Sequence, residues 1–261
     1  MDLGLRGRAA AVAAASSGIG RATALALADE GCDVAVCARR EDRLAEVAKD
    51  IESRGVRAHS LVLDLVAPGA CERFVNDAAA AFGRLDVVVT NVGGPPAGTF
   101  GSRDDDEFRR VTESNFMVHV RLARAAIPHM RARRWGRIVN VTSASVKMPI
   151  AGLITGNAAR AATTAWAKTL SYEIASDGIT INNVAPEAVR TERVENLARS
   201  FAQNAGIDFE QAVANLTHTP MGRYGTPEEA AAVIAFLASE KASFINGVTM
   251  SVDGGQGRAL T

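Results

Sequence analysis

The sequence predicts an α/β protein: one domain with a doubly wound parallel sheet of about seven strands and helices on both faces. Three observations predict it. Short apolar runs alternate with amphipathic stretches along the whole chain. The first apolar run passes through a glycine turn directly into a helical pattern. No linker, repeat or low-complexity segment divides the 261 residues. Strands joined by helices of this length make right-handed crossovers, and helices then cover both faces of the sheet.

Each element has its own reason. RAAAVAA (8–14) is apolar and ends in SSGIG, after which Ile19, Ala22, Ala26 and Leu27 recur at helical spacing until Gly31. DVAVCAR (33–39) is a second strand, and residues 41–55 form an amphipathic helix closed by Gly55. RAHSLVLDL (57–65) is a third strand. Residues 68–83 form a helix with Pro68 near its start and Gly83 past its end. LDVVVTN (85–91) is a fully apolar fourth strand, followed by the Gly/Pro loop VGGPPAGTFG and a long helix over roughly 104–133. GRIVNVTS (136–143) is the fifth strand, 156–176 a helix with an apolar stripe, and ITINNVAP (179–186) the sixth strand. Residues 191–218 read as two short polar helices. Residues 226–239 open with Thr, Pro and two acids, a capped helix start, and 247–255 is the last strand.

The totals exclude several function classes. Lys+Arg and Asp+Glu are 29 each, so no bulk charge draws the protein to nucleic acid or to an anionic membrane. No apolar run approaches the ~18 residues that span a bilayer. The alanine-rich opening reads as a strand rather than a secretory leader, because a glycine turn and a helix follow at once. Cys32, Cys37 and Cys71 make no metal spacing and read as reduced thiols of a cytoplasmic protein. The four histidines make no metal set; His218 alone falls in a segment that would cover a pocket.

A strand, a glycine turn and a helix N-terminus make an anion site, because backbone N–H groups point at the ligand and glycines let it come close. The stretch Ala13-Ala14-Ala15-Ser16-Ser17-Gly18-Ile19-Gly20 resembles the T-G-x-x-x-G-x-G turn of the short-chain dehydrogenase/reductase family, with Ala14 in place of its first glycine. If that position needs a positive φ, a Cβ costs roughly 1–2 kcal/mol, which in cofactor affinity is about tenfold. Arg39 and Arg40 close the second strand where an acidic residue suits NAD, and a guanidinium there suits a 2′-phosphate, which favours NADP(H) over NAD(H). Asp64 and Leu65 resemble the family's adenine contact, and Asn91 with Gly93 its turn after the fourth strand. The resemblance runs from RAAAVAA to VDGG and lies with an atypical branch of 3-oxoacyl-carrier-protein reductase-like proteins.

The resemblance implies catalysis by an Asn, a Ser, a Tyr and a Lys. Asn115 and Ser143 match the first two, with Ser145 as the alternative serine. Aligning the helix through AWAKTLSYEIA puts Gly156 at the Tyr position and Arg160 at the Lys position. The only tyrosines are Tyr172, roughly four turns further on, and Tyr224, at the edge of the segment 187–224 expected to cover the substrate. Pro186 keeps the family's proline, Glu187 stands at its glycine, and Thr191 matches its carboxamide-binding Thr. Lys147, Thr155 and Asn157 are further polar residues near the pocket.

Three readings follow. The first is an atypical, NADP(H)-linked oxidoreductase acting on a carbonyl or hydroxyl of a small molecule. The second is an NADP(H)-binding or silent-subunit protein without turnover. The third is a dehydratase or isomerase with Glu187 or His218 as base. On the first, replacing Gly156 by Tyr together with Arg160 by Lys is expected to raise ketone reduction by about 10²-fold. The resemblance and the apolar stripes of 104–133 and 156–176 imply a homodimer or homotetramer, with VDGGQGRAL as a second contact.

Overall fold

In the computed structural model β1 (Ala9–Val12) leads through α1 (Gly18–Asp29) to β2 (Asp33–Ala38), α2 (Glu41–Glu52), β3 (Ala58–Val62), α3 (Ala70–Phe82) and β4 (Val87–Thr90). The second half holds α4 (Asp105–Thr112), α5 (Val118–Arg131), β5 (Gly136–Val141), α6 (Ile154–Ile174), β6 (Ile179–Pro186), α7 (Glu192–Ala205), α8 (Phe209–Leu216), α9 (Pro227–Leu237) and β7 (Thr249–Val252). The structure describes residues 1–216 and 219–259, without the side chains of residues 193, 197, 200, 201, 204 and 216.

The seven strands are parallel, in the order β3-β2-β1-β4-β5-β6-β7. Chain direction across the sheet reverses between β1 and β4, so a crevice opens there at the carboxyl ends of the strands. Burial follows the two-residue period of a strand. Ala9 and Ala11 face a core with Phe74, Val75, Leu122 and Ala126, whereas Ala10 and Val12 face a second core with Leu27, Leu44 and Ile234. Helices α3, α5 and α6 therefore cover one face and α1, α2 and α9 the other. The three cysteines are unpaired inside these cores, and burial pushes their thiols up to about 12.

Several strands are shorter than expected, and two helices differ in ways that shape the site. The helix expected over 104–133 is interrupted by a π-turn at Glu113–Met117. The wider turn detaches the Asn115 carbonyl from the regular ladder, and Thr163 Oγ1 on α6 donates to it at 3.0 Å. The helix expected from 156 starts at Ile154, because the Gly/Pro loop docks on its first turn: Ile154 N donates to Gly98 O (3.3 Å) and Gly98 N to Gly152 O (2.6 Å).

A chain of side chains, buried but for the half-buried Thr249 at its end, ties four strands together. Thr90 Oγ1 donates to Asn140 Oδ1 (2.6 Å), Asn140 Nδ2 to Asn183 Oδ1 (2.9 Å), and Asn183 Nδ2 to Thr249 Oγ1 (3.1 Å). Thr90 has one hydroxyl proton, so it accepts from His119 Nδ1, 2.6 Å away, which fixes the histidine tautomer. Full burial, with the charge of Arg160 second, pushes the His119 pKa down to about 3.

Candidate active site

The turn after β1 has the geometry of an anion cradle. Ala14 sits at φ +50° and Gly18 at φ +55°. Gly20 is required by close approach: a Cβ there would lie 2.4 Å from the Ala14 carbonyl oxygen and 2.8 Å from Asn91 Nδ2. Asn91 Nδ2 in turn donates to that carbonyl at 3.3 Å. Ser17 caps α1 in extended backbone without using its hydroxyl to cap the helix. That hydroxyl accepts instead from Arg40 Nη2 at 2.8 Å, and Ser16 Oγ accepts from the same nitrogen at 3.4 Å. Guanidinium, hydroxyls and helix N-terminus thus converge on one point, the donor set that a phosphate requires.

A single cleft of about 940 Å³ runs from this point over the carboxyl ends of the strands. Ser16, Ser17, Gly18, Ile19, Arg39, Arg40, Asp64, Leu65, Asn91, Gly93, Pro186 and Thr191 all line it, as do Asn115, Ser143, Gly156 and Arg160. Gly20 lies behind the wall and acts by packing. Arg39 and Asp64 are exposed, and Arg40 is half-buried.

At the far end Ser143 Oγ accepts from Ser145 N at 3.2 Å. Asn115 Nδ2 donates to Ser114 Oγ at 2.9 Å, while its Oδ1 is buried with no hydrogen-bond partner among the described residues. Asn157 Nδ2 donates to Ile150 O at 2.8 Å, and its Oδ1 is likewise buried and unpartnered. Arg160, one turn beyond Gly156 on α6, donates to the Thr142 carbonyl. Glu187 follows the end of β6, half-buried in the cleft wall, with its N–H bonded to Val252 O at 3.0 Å. Burial raises its carboxyl above the usual 4.5, opposed by the Arg160 charge and reinforced by Asp253. The next residue, Ala188, is held at φ +48°.

Neither tyrosine reaches this end. Tyr172 is 71% exposed on the outer part of α6, and Tyr224 packs against Ala198, Ala212 and Val213 beneath α7 and α8. Lys147 and Thr155 lie outside the cleft lining, and His218 lies outside the described residues. The expectation that a tyrosine can simply be restored at 156 needs correcting. A Cβ on Gly156 would lie 2.6 Å from Cγ of the buried Pro95, so the Gly/Pro loop fills the room in which a side chain would start. In the sequence Pro95 is one residue of a Gly/Pro loop, and no local signal links residues 95 and 156.

A family profile described as Enoyl-(Acyl carrier protein) reductase matches residues 13–256. The chain belongs to the short-chain dehydrogenase/reductase family. It is 34% identical over 253 residues to the 3-oxoacyl-[acyl-carrier-protein] reductase of Salmonella typhimurium, covering 97% of this chain and 98% of that protein. It is also 34% identical, over 96% of this chain and 97% of the relative, to a monensin polyketide synthase putative ketoacyl reductase of Streptomyces virginiae. Among solved structures, the L-sorbose reductase of Gluconobacter frateurii complexed with NADPH and L-sorbose superposes with a TM-score of 0.96 at 33% identity, covering 100% of both chains. The chain is thus a short-chain dehydrogenase/reductase-type oxidoreductase with the family's seven-stranded sheet.

Proposed function

We propose that this protein is an NADP(H)-linked oxidoreductase that interconverts a carbonyl and a hydroxyl on a small molecule. Arg40 carries the reading: its guanidinium meets the Ser16 and Ser17 hydroxyls at the N-terminus of α1, the place of a 2′-phosphate. The glycine cradle, Asn91, Asp64 and Thr191 along the same cleft fit the rest of a dinucleotide. The NADPH in the sorbose reductase complex supports the same choice.

Bound in this cleft, NADPH supplies hydride to a carbonyl carbon. The Ser143 hydroxyl, at the end of β5, hydrogen-bonds the carbonyl oxygen as it gains charge. Glu187 takes over the work of the missing tyrosine: its carboxyl O–H breaks as the O–H of the product alcohol forms. The Arg160 charge then stabilises the carboxylate left behind. Arg160 cannot itself give up a proton. Glu187 regains one from water through the open side of the cleft.

The test is NADPH oxidation against a panel of simple ketones, keto sugars and β-keto thioesters, with calorimetric titration of NADPH and NADH. Turnover that requires Glu187 supports the reading. Tight NADPH binding with no turnover on any compound points to the silent-subunit reading instead, for which Pro95 packed on Gly156 is the favouring observation.

A further inference from the structure

Glu192 opens α7 directly after the capping residue Thr191. Both of its carboxylate oxygens face Arg40, whose Nη1 donates to Oε2 at 3.1 Å and to Oε1 at 3.3 Å. The other arm of the same guanidinium is the one that donates to Ser17 Oγ at 2.8 Å. The Ser17 hydroxyl lies close enough to help lower the carboxyl, and Arg43 Nη2 stands 4.0 Å from Oε1. These contacts, Arg40 first, hold the carboxyl below the usual carboxylate range. An anion belonging to the chain itself is therefore seated on the guanidinium that would receive a phosphate, next to the arm that meets the Ser17 hydroxyl.

We infer that Glu192 is an internal competitor for the 2′-phosphate site and limits how strongly the protein prefers NADP(H) over NAD(H). The inference rests on the NADP(H) reading above. A 2′-phosphate carries nearly two negative charges and three acceptor oxygens. On the Nη2 arm of Arg40 it stands beside the Glu192 carboxylate held on Nη1, and the two anions repel each other and compete for one guanidinium charge. A free ribose 2′-hydroxyl makes no such demand. It can donate to the carboxylate and leave the ion pair intact, as an acidic residue does in NAD-binding folds. One side chain thus works against one cofactor and with the other. Arg40 and Glu192 are both about 41% exposed, so their pair is screened and exchangeable rather than locked.

Calorimetric titrations of the unmodified protein and of Glu192→Gln, each with NADPH and with NADH, test this. Glutamine keeps the size and removes the charge, and thermal unfolding checks that the variant is folded. NADPH should bind the variant about fivefold tighter or more, while NADH binds equally well or more weakly. The fragments 2′,5′-ADP and 5′-AMP should repeat the contrast, which isolates the phosphate from the nicotinamide end. A gain shared equally by both cofactors overturns the inference, as does weaker NADPH binding by the variant. If the unmodified protein prefers NADPH and the variant keeps the same ratio, only this inference falls. If neither protein binds NADPH, the cofactor reading falls and takes this inference with it.

Discussion

Pro95 and Gly156 exclude each other's alternatives: the proline ring lies where a Cβ at 156 would be, 2.6 Å from Cγ. Gly156→Tyr combined with Arg160→Lys should therefore lose stability by about 1–3 kcal/mol through overpacking, and gain no activity. Adding Pro95→Ala removes the obstructing ring atom and should recover both. Thermal unfolding and NADPH oxidation of the double and triple variants decide this. A double variant as stable as the parent and about 10²-fold faster would show that the loop yields easily.

Ala14 holds φ +50° in a turn fixed by Asn91 and Gly20. The strain belongs to the turn itself, so it weighs on folding and not on cofactor affinity. Ala14→Gly should stabilise the protein by about 1 kcal/mol and change the NADPH dissociation constant by less than about twofold. Denaturant unfolding and calorimetry measure the two quantities. Unchanged stability with much tighter binding would place the cost on the cofactor, as the sequence suggested.

Glu187 gives the proposed chemistry a pH dependence. Its pKa is raised above 4.5 by burial, and the protonated form is the donor. Reduction should fall as pH rises through that raised pKa, and Glu187→Gln should lose about 10²–10⁴-fold and flatten the limb. The stability sign agrees: between the unfolded and the raised native pKa the native state binds more protons, so stability falls with rising pH in that window. A variant that keeps both the rate and the pH limb assigns the proton to another group.

The His119–Thr90–Asn140–Asn183–Thr249 chain crosses the sheet under the site. Asn140→Ala leaves Thr90 and Asn183 without their partners and should cost about 1–3 kcal/mol or more. The imidazole of His119, with its pKa near 3, should show no NMR titration above about pH 4. A titration near neutrality would mean that water reaches the ring.

The exposed aromatic residues suggest where copies meet. Tyr172 on α6 is 71% exposed, and the Phe244 side chain ahead of β7 is fully exposed. Sedimentation at micromolar concentration should show a homodimer or homotetramer, and Phe244→Glu should weaken it if the β7 end is a contact. A monomer throughout contradicts the assembly.

The sequence by itself determined the sheet, its helices and most of the cleft wall. Apolar period and glycine turns are local properties, and a parallel sheet places every strand's carboxyl end on one edge, so residues that follow strands meet there. That is why Ser17, Asn91, Ser143 and Thr191 were legible one at a time. What only the tertiary structure decided are the relations between distant segments. The carbonyl that the π-turn frees at Asn115 meets Thr163 of α6, 48 residues away. The grip of Glu192 on Arg40 joins residues 152 positions apart, and Pro95 lies against Gly156 in a loop whose Gly98 docks on the start of α6. No periodicity records such pairs: each depends on where two separately folded backbones cross, which only the packed core fixes.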